Sequence, residues 1–346
     1  MSASAVPPLQ RAIRRLAAGE SLTADESREA FEAVMSGEAS PAQLSALLVA
    51  LRVKGETADE VAGAAAALRH AMVRLDADRP DELVDTCGTG GGAVATFNIS
   101  TAAALLAAGA GVRIAKHGNR SFTSQCGSAD VLEALGVPVE VPAVVMARAL
   151  REAGIVFMFA PQMHPAMRHV GPVRRELGIP TVMNIVGPLA NPAGAGRQVV
   201  GVADARRVPL IAGALRALGT RHALVVHGEP GMDEISPIGP TQVIEIRDGS
   251  VSEWTIDPAR FGFGGGRAEE LVGGPPAANA AAVRAVLEGR APPTARAAVL
   301  LNAAAAILVS AAVRSFDDAL ARATEALDRG DGAAALERLR RAYATS

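Results

Sequence analysis

From residue 82 onward the chain repeats one alternation. Short runs rich in β-branched residues, ELVDTC, VRIA, IVFMFA, QVVGVA and ALVVHG, are separated by alanine-rich stretches of helical character. Strands that alternate with crossover helices form a mostly parallel sheet covered on both faces, so the pattern predicts an α/β fold with a mostly parallel central sheet flanked by helices. Two later runs, QVIEIR and SVSEWTI, flank Asp248-Gly249 and read as a hairpin at the sheet edge. The Gly- and Pro-rich stretch 261–276 reads as a surface loop, followed by helices.

The first 75 residues obey a different rule. Thr23-x-x-Glu26, Ser40-Pro41-x-Gln43 and Thr57-x-x-Glu60 are three helix-start signals. In each, the hydroxyl accepts from an early backbone N–H while the carboxylate or amide reaches back, and Pro41 suits a first helical position. Leu44, Leu47, Leu48 and Leu51 recur at helical spacing, and Val61, Leu68, Met72 and Leu75 continue a stripe on the next helix. A separate small all-helical domain follows, with ADRPDE (77–82) as the link.

Composition removes several function classes. With 34 Lys+Arg against 36 Asp+Glu and 3% aromatic residues, the chain lacks both the basic surface and the stacking platforms of a nucleic-acid binder. Two cysteines, Cys87 and Cys126, are too few for a disulfide-rich module or a four-cysteine zinc site. MSASAVPPLQRAIRR has no signal-peptide core, which predicts a cytoplasmic setting. The apolar stretch 297–313 approaches a membrane span in length, but Asn302 and Ser310 interrupt it and a Ser315-x-x-Asp318 box follows, so it reads as a buried helix.

Ligands of parallel sheets bind beyond the carboxyl ends of the strands, which directs attention to the loops there. After ELVDTC comes Gly88-Thr89-Gly90-Gly91-Gly92, then AVATFNIST, then a helical run. Such a loop admits an anion to backbone N–H groups, and Asn98, Ser100 and Thr101 place side-chain donors at the helix start. Gly88-x-Gly90-x-x-Ala93 also fits a dinucleotide fingerprint, but the seven residues between Ala93 and Thr101 and the Lys116 after the next strand argue against it. A Walker ending is missing; a plain tight turn is the alternative. Lys116-His117-Gly118-Asn119-Arg120 reads as a donor-rich turn after the second strand, extended by Ser121, Thr123, Ser124 and Ser128. His164 and His169 are five apart, unlike a helical metal pair, and either Arg174 or Arg175 could grip a carboxylate or simply face solvent. Asp233-Glu234 after ALVVHG offers hard oxygen ligands for Mg2+, or else is a charged turn.

These motifs, with Thr96-Phe97-Asn98-Ile99-Ser100-Thr101, His164-Pro165-Ala166-Met167, Val173 to Gly178, Asn184-x-x-Gly187-Pro188-Leu189-x-Asn191-Pro192 and Asp233-Glu234-Ile235-Ser236, stand in the order and spacing of the anthranilate phosphoribosyltransferases, which the chain resembles over nearly its whole length. The resemblance implies a nucleoside phosphorylase/phosphoribosyltransferase-type two-domain fold, with the site in the cleft between domains and homodimers formed through the helical one. Residues 1–78 plus roughly 163–190 would form the helical domain, and 79–162 plus roughly 191–346 the α/β domain. The implied reaction moves the phosphoribosyl group of phosphoribosyl pyrophosphate to the amine of anthranilate in tryptophan biosynthesis, releasing pyrophosphate. By the same resemblance Gly88, Thr89, Gly90, Gly91, Thr96, Asn98, Ser100, Thr101, Lys116 and Ser128 would hold phosphoribosyl pyrophosphate. Gly88, His117, Asn119, His164 and Arg174 would hold anthranilate, and Ser100, Asp233 and Glu234 about two Mg2+ ions per monomer. No acid or base is implied. The family usually carries an Asp and often a Gly where this chain has Gly92 and Ala93, and Ser in place of Cys126. A pyrimidine nucleoside phosphorylase-like enzyme of the same fold, or a non-catalytic nucleic-acid-binding relative, are the rival readings; the first needs no acidic pair and the second needs a basic surface.

Overall fold

In the computed structural model, residues 6–121 and 125–344 are described; Thr123 and Ser124 lie outside them. Four helices open the chain: α1 (Pro8–Ala17), α2 (Ala24–Met35), α3 (Pro41–Lys54) and α4 (Ala58–Ala71). The three sequence signals start α2, α3 and α4 as full capping boxes. Thr57 Oγ1 accepts from Glu60 N at 3.3 Å while a Glu60 carboxylate oxygen accepts from Thr57 N at 2.8 Å, and the Thr23/Glu26 and Ser40/Gln43 boxes close likewise. Each cap contributes about 1 kcal/mol. Glu60 does more than cap: its other oxygen accepts from Leu22 N at 2.9 Å, and Lys54 Nζ lies 3.0 Å away, so a fully buried carboxylate is satisfied on all sides. Leu44, Leu47, Leu48 and Leu51 are fully buried, each adding roughly 1.5–3 kcal/mol.

The chain separates into two compact units. One comprises Met1–Val73, Pro161–Pro192 and Pro209–Gly219; the other comprises Arg74–Ala160, Ala193–Val208 and Thr220–Ser346. Pro209–Gly219 is a stretch that the sequence pattern assigns to the α/β domain. It belongs to the helix Val208–Ala217, where Gly213 has no side chain and the backbone closes on Ala58 of α4; a Cβ there would stand 2.8 Å from the Ala58 Cβ.

The second unit is built on seven strands: β1 (Val84–Gly88), β2 (Ile114–Gly118), β3 (Ile155–Phe159), β4 (Arg197–Gly201), β5 (His222–Gly228), β6 (Thr241–Arg247) and β7 (Ser250–Ile256). Their order is β3-β2-β1-β4-β5-β6-β7, with the first five parallel and the last two antiparallel. Arg247 pairs with Ser250, leaving Asp248 (φ 47°) and Gly249 (φ 82°) as a two-residue turn. Both left-handed angles match the type I′ hairpin that Asp-Gly favours. From β1 the chain runs outward to β2 and β3, then returns across β1 to β4, so the strand order reverses between β1 and β4. The carboxyl ends of those two strands, Gly88 and Gly201, mark the switch point where a ligand crevice forms in such sheets.

Helices α5 (Ile99–Gly109), α6 (Ser128–Ala134) and α7 (Ala143–Ala153) flank the first strands. The apolar stretch near residue 300 is the buried helix Pro293–Val309, and among the described residues no helix is long and apolar enough to cross a membrane. Residues 261–276 are not a plain surface loop. A 3-10 turn at Ala268–Leu271 buries Leu271 completely, and the chain then pairs with the segment before α5 through Phe97 N to Leu271 O (2.9 Å) and a Thr96–Val272 bridge. Gly273 permits this approach, since a Cβ would lie 2.5 Å from Thr96 O. At the outer edge, Tyr343 Oη donates to Phe157 O (2.8 Å) and accepts from Phe157 N (3.0 Å), satisfying edge-strand groups that would otherwise invite pairing.

Candidate active site

The glycine turn leaves β1 at Gly88 and is held by its neighbours. Thr89 N donates to Gly201 O at 2.9 Å, Thr89 Oγ1 accepts from Ala203 N at 3.2 Å, and Ala93 N donates to Gly231 O at 2.8 Å. Gly90 (φ 73°) and Gly91 (φ 78°) take the left-handed conformation that glycine adopts without strain. Both are exposed.

The acidic turn after β5 reaches this loop. Asp233 accepts from Gly90 N at 2.8 Å, and Glu234 accepts from Ser100 N at 3.0 Å in the first turn of α5. Two carboxylates thus sit on backbone donors of the glycine turn and of a helix start, which is where an anion is favoured. The approach requires glycine: a Cβ on Gly88 would run into the Asp233 carboxylate, and one on Gly201 into the Asp233 carbonyl. At Gly92 a Cβ would meet Gly231 O at 3.1 Å and Asp233 Oδ1 at 3.3 Å. Burial raises the Asp233 carboxyl, and burial together with the Asp233 charge pushes Glu234 up to about 8, with Lys116 opposing.

Lys116, His117 and Gly118 lie on β2 and not in the turn after it. The strand runs further than VRIA because Lys116 and His117 are paired in register with Phe157 and Met158 of β3. Lys116 is 3% exposed, and its Nζ donates to Thr86 O (2.5 Å) and approaches Ser100 Oγ at 3.3 Å. Desolvation lowers its pKa, opposed by the charge of Asp85. This excludes the solvated basic turn and leaves a buried cation beneath the start of α5. His117 N donates to Asp85 Oδ1 at 3.1 Å. Arg120, by contrast, is spent on structure: it pairs with Asp130 and Glu133 and lies over the Phe159 ring.

The remaining expected donors divide. Asn98 precedes α5, but its side chain makes no cap; Nδ2 donates to Cys126 O (3.2 Å) and Oδ1 accepts from Asn279 Nδ2 (2.9 Å). Thr101 is buried, and its hydroxyl has no partner among the described residues. Thr96 is tied into the bridge with Val272. Ser128 donates to Asn119 O at 3.3 Å, which fixes the backbone of Asn119. Burial holds both thiols up, Cys126 to about 11 and Cys87 well above its ordinary range, so they are protonated at neutral pH.

His164 and Arg174 belong to the helical unit. Burial pushes the His164 imidazole down to about 4, so it is neutral at pH 7. Arg174 lies in the helix Gly171–Leu177, half-buried and desolvated, and its guanidinium has no partner among the described residues; Arg175 is exposed. Of the two arginines that the sequence offered, Arg174 is thus the half-buried one and Arg175 the exposed one.

Residues 10–72 match the "Glycosyl transferase family, helical bundle domain", and residues 80–334 match the "Glycosyl transferase family, a/b domain". The anthranilate phosphoribosyltransferase of Anaeromyxobacter sp. (strain K) is 51% identical over 338 residues, 98% of each chain. The chain belongs to the anthranilate phosphoribosyltransferase family. A crystal structure of the family member from Thermus thermophilus superposes with TM-score 0.91 at 42% identity, covering 98% of this chain and 99% of that one. The Saccharomyces cerevisiae member, solved in complex with PRPP and Mg, gives 0.88 at 27% identity over 98% of both chains.

Several supporting residues escaped sequence reasoning. Thr86, Gly201 and Asn279 contact expected site residues, and Asn302 holds Ile235 beside Glu234, but none of the four carries a motif. The available signals were polar residues in runs otherwise wholly apolar, as with Asn302, and Asp85-Thr86 inside a doubly covered strand.

Proposed function

We propose that the chain transfers the phosphoribosyl group of phosphoribosyl pyrophosphate to the amine of anthranilate, releasing pyrophosphate. The observation that carries this reading is the meeting of Asp233 and Glu234 with Gly90 N and Ser100 N: acids suited to a hard cation lie on the donors suited to a phosphate. The buried, unpartnered Thr101 hydroxyl and the buried Lys116 cation support a charged ligand at the same place.

The residues present fit Mg2+, which binds one or two carboxylates together with substrate phosphates. Among the described residues no cluster of three or more His, Cys, Asp or Glu gathers, so two acids and the Ser100 hydroxyl are the donor set offered. About two ions are proposed, held at Asp233, Glu234 and Ser100. When bound, Mg2+ neutralises charge on the departing diphosphate. The chain's own part is positional and electrostatic. The glycine turn Gly88 to Gly91 and the start of α5 would border the diphosphate, with Lys116 supplying fixed positive charge beneath them. Asn119, His117 and the neutral His164 are proposed to border anthranilate, with Arg174 gripping its carboxylate bidentately. An aromatic amine is weakly basic, so no protein base is assigned.

We also propose a homodimer and a cytoplasmic setting. The family resemblance supports the first, and two cysteines in 346 residues support the second.

The deciding assay follows anthranilate fluorescence after mixing the protein with phosphoribosyl pyrophosphate, with and without Mg2+. Loss of signal only with both is expected. A signal that persists under every divalent cation rejects the reading, and cleavage of a pyrimidine nucleoside by phosphate in its place selects the phosphorylase alternative.

A further inference from the structure

Asn302 interrupts the most apolar stretch of the chain, at the centre of the buried helix Pro293–Val309, where an alanine or leucine would pack without a polar cost. Its side chain is 3% exposed, and every polar atom is used. Oδ1 accepts from Ile235 N at 2.9 Å, while Nδ2 donates to Ile235 O and to Ala298 O, both at 2.9 Å. One side chain therefore grips both backbone groups of the residue that follows Glu234. Asn302 also lines a small cavity with Glu234, Ser100 and Thr86, so it stands directly behind the acid and the helix start.

A two-sided clasp fixes the direction of a peptide as well as its place, because shifting or rotating Ile235 breaks at least one of the two bonds. The neighbouring Glu234 carries a half-buried carboxylate that accepts from Ser100 N at 3.0 Å, and the clasp on Ile235 fixes the backbone from which that side chain reaches the helix start. We infer that Asn302 is a positioning residue, which by holding Ile235 anchors the C-terminal end of the Asp233-Glu234 pair so that both carboxylates present to a divalent cation. The inference rests on the reading of that pair as the metal-binding acids.

The test compares the wild type, Asn302→Ala and Leu308→Ala, the last lying on the same buried helix six residues further from the clasp. The melting temperature is followed against Mg2+ concentration at saturating phosphoribosyl pyrophosphate, a binding readout independent of turnover. Partners that orient metal ligands are typically worth about 10–100-fold in metal affinity, so the Mg2+ midpoint of Asn302→Ala is expected to rise about tenfold or more, with the KM for anthranilate unmoved. Leu308→Ala should melt lower yet keep the wild-type midpoint. An Asn302→Ala midpoint within about twofold of wild type overturns the inference, since the residue then serves stability alone. A wild type with no Mg2+ response overturns the metal reading itself, a separate failure. Should the alanine variant not fold, Asn302→Ser, which retains a hydroxyl at the position, reads out the same midpoint; failure of both to fold also assigns Asn302 to stability and overturns the proposal.

Discussion

The glycine turn after β1 and the acidic turn after β5 follow parallel strands of one sheet, yet they are built on opposite plans. The glycine turn is exposed at Gly88, Gly90 and Gly91, and the hydrogen bonds of its backbone run outward to Gly201, Gly231 and Asp233. The acidic turn is braced from within and from behind as well: Gly228 and Met232 bridge, Ser236 Oγ donates to Glu229 O at 2.5 Å, Ser236 N donates to Thr241 Oγ1, and Ile235 is clasped by Asn302. Donors meant for a ligand must be left exchangeable, whereas acceptors that would repel one another need a rigid frame. The difference shows which partner is expected to yield when a phosphate arrives.

The largest test removes the acids. Asp233→Asn combined with Glu234→Gln should lower turnover at least about a thousandfold with the circular dichroism spectrum unchanged. Near-normal rates would show that the acidic turn serves only to cap the glycine turn. A middle-sized effect separates two glycines of the open turn. Gly88→Ala drives a Cβ into the Asp233 carboxylate and should cut kcat/KM about a hundredfold, whereas Gly90→Ala meets open space and carries only left-handed strain of about 1–2 kcal/mol. Equal losses in steady-state kinetics would erase the contrast.

The smallest effect is on pH. Glu234 titrates near 8 in the fold against an ordinary value of 4.5, so between these values the folded state holds a proton that the unfolded chain has lost. Without Mg2+, its unfavourable burial should lower stability progressively as pH rises from about 5 to about 8, and Glu234→Gln should escape that fall. Thermal melts across this range check it; a constant difference between the two proteins would mean that Lys116 already compensates the charge.

Much of this was legible in the residues because the relevant interactions are local. A capping box spans three residues and an Asp-Gly hairpin two, and both formed as their spacing predicts. The parallel sheet followed from the alternation of strands and helices. What stayed illegible depends on distant partners. Lys116 and His117 looked like turn residues because they are polar, yet Thr86 and Asp85 on the neighbouring strand give them partners inside the sheet. Asn98 resembled a helix cap, but Asn279, far along the chain, claims its side chain. Asn302 read as a flaw in an apolar run, since nothing nearby in sequence announces that Ile235 comes to meet it. The stretch 261–276, rich in Gly and Pro, concealed a buried leucine for the same reason.

The helical unit is assembled from three separated stretches, so the polypeptide passes between units at residues 73/74, 160/161, 192/193, 208/209 and 219/220. A gene encoding such an arrangement cannot gain or lose that unit by a single recombination, because any one cut strands part of it. Variation there has to accumulate by point substitution, in step with the sheet whose crossover helix, Val208–Ala217, it has borrowed.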